Sequence, residues 1–319
     1  MSYKILGTGS AHPKRSVTND DLAEFLDTSD EWIYTRTGIK SRYICTDDEP
    51  ISDIAVQAGQ AALENAGVSA EQLDAIICST ARGDYFTPSM ACILQQRLGA
   101  VCPAFDLNAA CTGFLYALDV ADGYFVRGRA KKILVVACEN MSRLLDWRDR
   151  STCVLFGDGA GAAVLGEGEN LLSIYLSAQG NLENMNIPNV GGNSPFSDAA
   201  APESFLGMKG QEIYKFAVAA MTGDLERVIR EAGLKQEEID YVLPHQANQR
   251  IIDTAKKRLS IPEDRYCSNI DRYGNVSSAS IPILLDELNR KNTFKNGDLL
   301  ALTAFGGGLT SGACVIRWG

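Results

Sequence analysis

Apolar and polar positions follow two periods along the chain, one typical of helices and one typical of buried strands. Residues 51–66 repeat apolar positions at helical spacing and are followed by Gly67, which predicts a helix that ends there. The same patterns predict strands at 73–78, 102–107 and 132–138, and helices at 88–98 and 111–126. Strand–helix–strand alternation predicts a mostly parallel α/β sheet covered by helices on both faces.

The second half of the chain repeats the pattern of the first. Residues 62–77, ALENAGVSAEQLDAII, can be laid on residues 228–243, VIREAGLKQEEIDYVL, a shift of 166 residues with four identities. Near this register Cys111 falls close to Asn275, 164 residues later, each just before a predicted helix. Chance similarity between two common α/β units is the alternative. We favour a duplicated α/β fold whose halves, 1–170 and 171–319, pack face to face.

Glycine and polar residues dominate several other segments. KILGTGSAHP has His12 where the dinucleotide fingerprint needs glycine, and FGDGAGAAVLG lacks the Lys-Ser/Thr ending of a phosphate loop. The run FGGGLTSGA (305–313) leads into a predicted strand, so we interpret its glycines as backbone brought close to a reacting group. Residues 177–202 are rich in Asn, Gly, Pro and Ser, which predicts a long surface loop.

Composition narrows the class of protein. The 319 residues are 45% hydrophobic and 22% charged, and the apolar runs are too short to cross a bilayer, so we expect a cytoplasmic protein without a membrane partner. The net charge of −10 argues against nucleic acid as a partner. Nine scattered cysteines without a C-x-x-C pair argue against a disulfide framework, and with two histidines we expect no metal site.

Three residues are candidates for chemistry. Cys111, in DLNAACTGF, lies at the start of a predicted helix, where backbone dipoles favour a thiolate by roughly one pKa unit. That is too little for a nucleophile, and an inert buried cysteine is the alternative. His245, in YVLPHQANQRII, follows an apolar strand and is the natural acid–base candidate. Asn275, in DRYGNVSSASIP, would by itself be a turn or helix-cap residue.

Taken in order, DLNAACTGF, LPHQAN, RYGNVSSASIP and AFGGGLTSG closely resemble the 3-oxoacyl-(acyl-carrier-protein) synthase III family, the chain-initiating condensing enzymes of the thiolase-like superfamily. The resemblance covers essentially the whole chain, including TSDEWIYTRTGIKSRY and FGDGAGAAVLG. It implies a thiolase-like α/β fold in which two duplicated halves form a layered α-β-α-β-α core. A thiolase would carry a second cysteine near Phe305 and Gly306, and elongating condensing enzymes would have two histidines after the cysteine.

The resemblance also implies a decarboxylative Claisen condensation that gives 3-oxoacyl-carrier protein and initiates fatty acid biosynthesis. Cys111 would take the acyl group from acyl-CoA, and malonyl-acyl carrier protein would then lose CO₂ and attack it. The backbone amides of Cys111 and Gly307 would form the oxyanion hole, and His245 and Asn275 would bind the malonyl thioester. No cofactor is implied. The alternative is a related enzyme of secondary metabolism whose acceptor is not attached to a carrier protein. A papain-like hydrolase and a scaffold that only binds acyl-CoA fit the motifs less well.

The substrate-binding residues implied by the resemblance fall into three groups. Those expected to contact CoA are Trp32, Arg36, Thr37, Arg150, Asn248 and Gln211, the last at a position where many relatives have Asn. Those expected to contact the acidic carrier protein are Arg250, Lys257, Arg258 and Lys215. Thr87 replaces the bulky aromatic residue that caps the acyl pocket across a homodimer interface, which predicts starters longer than acetyl or branched ones.

Overall fold

The computed structural model describes residues 2–189, Phe196 and 204–319. The strands are β1 (Ser2–Ala11), β2 (Arg15–Thr18), β3 (Ser41–Ile44), β4 (Ala75–Ser79), β5 (Ala104–Leu107), β6 (Lys132–Asn140), β7 (Asp158–Gly168), β8 (Leu171–Asn181), β9 (Met185–Asn186), β10 (Gly207–Met208), β11 (Tyr241–Pro244), β12 (Leu299–Gly306) and β13 (Gly308–Arg317). The α-helices are α1 (Asn19–Ala23), α2 (Asp30–Thr37), α3 (Ile51–Ala66), α4 (Met90–Leu98), α5 (Gly113–Val126), α6 (Gly210–Glu231), α7 (Gln249–Lys256), α8 (Ile270–Tyr273) and α9 (Ser280–Arg290).

Two mixed sheets form the centre of the molecule. The first has the order β1-β7-β6-β4-β5, in which β6, β4 and β5 pair in parallel and β7 pairs antiparallel with both β6 and β1. The second has the order β11-β12-β13-β8, with one parallel pair and two antiparallel pairs. The prediction that most strand pairs are parallel is therefore wrong. Strands β6 and β7, and likewise β12 and β13, follow each other without a crossover helix, so they pair antiparallel.

The two sheets have the same topology, as the duplication predicted. Strands β8, β13, β12 and β11 repeat the order of β1, β7, β6 and β4. The parallel pairing of Ile76 with Ala104 has its counterpart in an isolated parallel bridge between Val242 and Tyr266. The boundary predicted at residue 170 falls in the connection between β7 and β8.

Helices complete five layers. Helices α3 and α4 pack on the outer face of the first sheet, where their apolar residues join those of β4, β6 and β7. Helices α5 and α9 lie between the two sheets and bury seven residues each. Helices α6 and α7 cover the outer face of the second sheet. The layers therefore follow the α-β-α-β-α order expected from the sequence.

Local signals set most of the element ends. Helix α3 ends at Gly67 as predicted, because the glycine adopts a φ of +63°. Helix α4 begins at Met90 rather than at 88, since the Ser89 hydroxyl accepts the Cys92 amide as an N-cap.

Three further segments are defined more closely by the structure. Strand β8 runs to Asn181, so the predicted loop at 177–202 begins later, and its residues 190–195 and 197–202 lie outside the described residues. The segment 305–313 forms the tight hairpin between β12 and β13. Strand β6 continues past the predicted end at 138 to Asn140, which brings Glu139 to the end of a buried strand.

Within the described ranges, no helix is both long and apolar enough to cross a membrane.

Candidate active site

Two matching turns face each other where the halves meet. One 3₁₀ turn, Ala110–Thr112, leads into α5, and the other, Ser277–Ala279, leads into α9. Each begins with a left-handed residue, Ala110 at φ +48° and Ser277 at φ +46°, a conformation that is strained for residues with a Cβ. An asparagine side chain two residues earlier holds each turn: Asn108 Oδ1 accepts the Ala110 amide at 3.0 Å, and Asn275 Oδ1 accepts the Ser277 amide at 2.8 Å.

These turns correct the proposed correspondence between the halves. Positions 108 and 110 match 275 and 277, a shift of 167 rather than 164 residues. The counterpart of Cys111 is therefore Ser278, and the counterpart of Asn275 is Asn108. Cys111 and Asn275 come from opposite halves, and the fold brings them to the walls of one cavity.

Cys111 is 9% exposed and lies against the backbone of the β12–β13 hairpin. A Cβ added to Gly306 would lie 2.7 Å from the Cys111 amide nitrogen and 2.9 Å from its Cβ, so no side chain fits there. This confirms that a glycine of the run 305–313 brings backbone close to the thiol. A Cβ on Gly307 would lie 3.6 Å from the Ala110 Cβ, which places the next peptide beside the same turn.

Burial dominates the electrostatics of the thiol. Desolvation raises the pKa of Cys111 to about 12; the neighbouring Ser277 hydroxyl opposes that rise, and the charge of Glu139 adds to it. Backbone hydrogen bonding at this turn lowers the pKa, which is the direction expected for a helix start, but the desolvation of the buried sulfur outweighs it. Thiolate formation at neutral pH needs a proton acceptor in the site.

His245 and Asn275 present uncharged polar groups. His245 follows β11, its ring lies edge-on to Phe305 at 5.4 Å, and burial lowers its pKa to about 3. The ring is therefore neutral at physiological pH, and its Nδ1 has no hydrogen-bond partner among the described residues. Asn275 uses its Oδ1 to hold Ser277, which leaves its Nδ2 as the group that can donate.

Cys111 lies between two cavities. A cavity of about 280 Å³ contains Cys111, His245 and Asn275 in its wall, so the structure brings the three predicted residues together. A larger cavity of about 610 Å³ also reaches Cys111. Its wall combines polar residues such as Arg82 and Asn108 with the apolar residues Phe86, Met141, Leu144, Phe156 and Leu206. Cys111 thus forms part of the wall of both cavities.

Most residues predicted to bind CoA line the smaller cavity, namely Trp32, Arg36, Thr37, Arg150 and Asn248. The guanidinium carbons of Arg36 and Arg150 lie 4.6 and 5.0 Å from the centre of the Trp32 ring. Asn248 caps α7 by accepting the Arg250 amide at 2.9 Å, and its Nδ2 donates to the Arg36 carbonyl at 3.1 Å. Gln211 is exposed in the first turn of α6 and does not line this cavity, although Gly210 does.

The residues predicted to contact the carrier protein are all exposed. Helix α7 buries Ile251, Ile252 and Ala255 against the protein. The helix ends at Lys256, so Lys257 caps it and Arg258 follows it, while Arg250 is in its first turn. Lys215 lies on α6 and pairs with Glu212 at 2.8 Å.

Two residues near Cys111, Phe86 and Glu139, escaped the sequence analysis. Thr87 is exposed and does not line the larger cavity of its own chain, whereas its neighbour Phe86 does. Glu139 is 1% exposed and contacts the Ser277 turn, which no motif indicated. The available signal was an acidic residue in an otherwise apolar strand, since an unpaired charge is rarely buried without a role.

Known proteins are similar to this chain along almost its whole length. Family models for 3-oxoacyl-[acyl-carrier-protein] synthase III match residues 105–180, and those for the C-terminal part of the same enzymes match residues 229–318. A β-ketoacyl-[acyl-carrier-protein] synthase III from Xanthomonas campestris is 46% identical over 318 residues, which cover 99% of this chain and 98% of the relative.

Solved structures give the same result. A 3-oxoacyl-[acyl-carrier-protein] synthase III from Aquifex aeolicus matches with a TM-score of 0.93 and 45% identity, over 99% of this chain and all of the other. A priming β-ketosynthase of a polyketide pathway matches with a TM-score of 0.93 and 35% identity, over 99% and 96% of the two chains. These matches confirm the thiolase-like fold and the condensing acyltransferase class predicted from the sequence. The chain therefore belongs to the 3-oxoacyl-[acyl-carrier-protein] synthase III family.

Proposed function

We propose that the protein condenses an acyl group from acyl-CoA with malonyl-acyl carrier protein through an acyl-Cys111 intermediate. The observation that carries this proposal is the position of Cys111 between two cavities, one of which also presents His245 and Asn275. A covalently held acyl chain can occupy the larger cavity while the second substrate enters through the smaller one. The product would be 3-oxoacyl-carrier protein, the first condensation product of fatty acid synthesis, made in the cytoplasm.

In the first half-reaction the Cys111 sulfur attacks the thioester carbonyl and CoA leaves as a thiol. Negative charge develops on the carbonyl oxygen, and we assign its stabilisation to the backbone amides of Cys111 and Gly307. The close approach of the β12–β13 hairpin to Cys111 supports this assignment. One such donor is typically worth about 3 kcal/mol in the transition state.

In the second half-reaction the malonyl thioester loses CO₂ and its enolate attacks the acyl-Cys111 carbonyl. The enolate oxygen is the charge to be stabilised, and His245 with Asn275 Nδ2 can donate to it as neutral groups. A neutral imidazole suits this task because it can donate a hydrogen bond without carrying a buried positive charge. Both steps move electron pairs between carbon, oxygen and sulfur only, so the chemistry as written requires no metal or redox cofactor.

We assign CoA to the smaller cavity, with its adenine against Trp32. In this structure the Arg150 guanidinium rests on the Trp32 ring and its Nη1 bonds Asp27 Oδ2 at 3.1 Å, so an inserted base requires that side chain to move. The exposed Arg150–Asp27 pair is a weak restraint. Gln211 is omitted from this assignment.

Intact-mass analysis tests the covalent intermediate. Incubation with an acyl-CoA panel should add one acyl group to the wild-type protein and none to Cys111→Ala, because Cys111 is the attacking sulfur. Malonyl-acyl carrier protein should discharge the adduct, and malonyl-CoA alone should do so poorly. An adduct that survives in Cys111→Ala would contradict the assignment. Discharge by an acceptor free of carrier protein would favour the secondary-metabolism alternative.

A basic surface at α7 supports a carrier protein as the acidic partner. Arg250, Lys257 and Arg258 are exposed together at this helix, beside a cavity that Asn248 and Ile251 line. They give a local positive patch on a chain whose net charge is −10.

Charge reversal at this patch should separate the two half-reactions. We expect Arg250→Glu to raise KM for malonyl-acyl carrier protein by about tenfold or more, a loss near 1.4 kcal/mol, because it replaces an attraction with a repulsion. Acylation by acyl-CoA should stay within about twofold of wild type. Arg129→Glu, at an exposed position between α5 and β6, is the matched control. Equal losses in both half-reactions would refute a specific role in docking.

The larger cavity bears on acyl specificity. Its volume of about 610 Å³ and its apolar lining suit acyl chains longer than acetyl or branched ones. Thr87 is proposed to reach the partner's pocket, where a small side chain leaves that volume open.

Rates across an acyl-CoA length series should therefore peak beyond acetyl. Thr87→Phe should move the optimum toward acetyl by filling the pocket, with the acetyl rate itself nearly unchanged. Strict acetyl preference of the wild-type protein would show that the cavity does not receive the acyl chain.

We also propose that two copies form a homodimer through the edge of the first sheet. Strand β5 pairs on one side only, with β4, and the neighbouring Tyr85, Phe86 and Val101 are 65%, 78% and 86% exposed. An unpaired edge flanked by large apolar side chains is a surface that proteins usually cover.

Light scattering at micromolar concentration should give twice the chain mass of 34.5 kDa. Val101→Glu should shift the protein toward that single-chain mass, because it places a charge among the apolar side chains of the edge. A wild-type monomer under the same conditions would refute the interface.

A further inference from the structure

Glu139 is a buried acid that the reaction described above does not use. It lies at the end of β6, is 1% exposed, and forms no ion pair with any described Lys or Arg. Its Oε1 accepts the Ser278 hydroxyl at 2.6 Å and the Ser277 hydroxyl at 3.1 Å, and its Oε2 accepts the Ala81 amide at 3.0 Å. These neutral donors are what compensates the buried carboxylate.

Ser277 connects this acid to the nucleophile. Its hydroxyl donates to Glu139, and Ser277 lines the larger cavity together with Cys111. The same hydroxyl acts to lower the pKa of the Cys111 thiol. Its backbone amide donates to Asn275 Oδ1 at 2.8 Å. One left-handed residue thus links Glu139, Cys111 and Asn275, and its backbone is fixed by the turn in which it lies.

The duplication explains why an acid can reach this place. At the shift of 167 residues, Glu139 at the end of β6 corresponds to Gly306 at the end of β12. Gly306, in the second half, contacts Cys111 in the turn of the first half. Glu139, in the first half, contacts Ser278 in the turn of the second half. The first half therefore offers a carboxylate where the second half offers bare backbone.

We propose that Glu139 is the proton acceptor for Cys111, acting through the Ser277 hydroxyl. The Cys111 S–H bond breaks and its proton passes to the Ser277 oxygen, while the Ser277 O–H proton passes to Glu139 Oε1. The products are a thiolate and a neutral carboxylic acid, and Ser277 is regenerated. A single negative charge moves from carboxylate to sulfur, so no additional charge is buried. Glu139 is a positioning residue in this scheme because it touches neither substrate nor the reacting carbonyl.

The surroundings suit such an exchange near neutral pH. Burial raises the pKa of Glu139 to about 7, so it can both accept and release a proton there. The titratable groups that face Glu139 are the Cys111 thiol and, from β4, the Cys78 thiol, which Asp106 on β5 also influences. His245, whose pKa is lowered to about 3 by burial, is a weaker acceptor.

This inference rests on the nucleophilic role proposed for Cys111, but its test uses no acyl substrate. Alkylation of Cys111 by iodoacetamide, followed by peptide mass analysis from pH 5 to 10, reports thiolate formation alone. Cys111→Ala identifies the background from the other eight cysteines. A failure of the condensation assay would therefore leave this measurement interpretable.

Wild-type alkylation should accelerate about tenfold per pH unit below pH 7 and then level off. Above that pH the Cys111–Glu139 pair holds a fixed number of protons, so the fraction with the proton on Glu139 is constant. In Glu139→Gln the break near pH 7 should vanish and the rate should keep rising with pH. Ser277→Ala should lower the plateau by about tenfold, since a hydrogen bond to a charged group is lost.

Two variants serve as controls. Ser278→Ala removes the shortest hydrogen bond to Glu139 without a link to Cys111, so the break should remain and move to higher pH. His245→Ala should keep the break near pH 7. An unchanged break in Glu139→Gln, or its loss in His245→Ala, would overturn the proposal. If Glu139→Gln does not fold, unchanged plateau height in Ser277→Ala and an unshifted break in Ser278→Ala would also overturn it.

Discussion

A side-chain amide oxygen that holds a left-handed residue is the constraint on which this site depends. Asn108 fixes Ala110, and Asn275 fixes Ser277, each through one hydrogen bond to a backbone amide. Without that bond a non-glycine residue would leave the left-handed region, which is strained by about 1–3 kcal/mol. The turn places Cys111 against backbone of the β12–β13 hairpin in the opposite sheet.

Burial then sets the protonation of three groups that lie near the turns, namely Cys111, Glu139 and His245. It raises the pKa of Cys111 and of Glu139 and lowers that of His245, so each favours its neutral form more than it would in water. A site of this kind is well suited to stabilising one negative charge that moves among sulfur and oxygen atoms. Burial also means that a charge on any of these atoms must be stabilised by a specific hydrogen-bond donor, because bulk water does not screen it.

The periodicity of the sequence predicted the fold well, and its motifs predicted the catalytic candidates. Helix α3 and its end at Gly67 follow from local signals, and the duplication follows from the repeat. The order of the layers was implied by the family resemblance. The sign of the Cys111 pKa shift could not be predicted, because it depends on how much protein surrounds the sulfur after folding. The exposure of Gln211 and the buried contact of Glu139 with Ser277 likewise depend on packing between distant segments.

The near-symmetry of the halves makes their differences informative. Both halves build the same strand end, the same asparagine-held turn and the same following helix, yet one turn carries Cys111 and the other Ser278. At the facing strand ends, Gly306 lets backbone lie against Cys111, whereas Glu139 fills the equivalent place with a carboxylate. A symmetric pair of turns would give two equal and opposed sites. Placing both the thiol and the acid in the first half, and the serine turn and the bare backbone of Gly306 in the second, instead gives a single site with a nucleophile, donors and a proton acceptor.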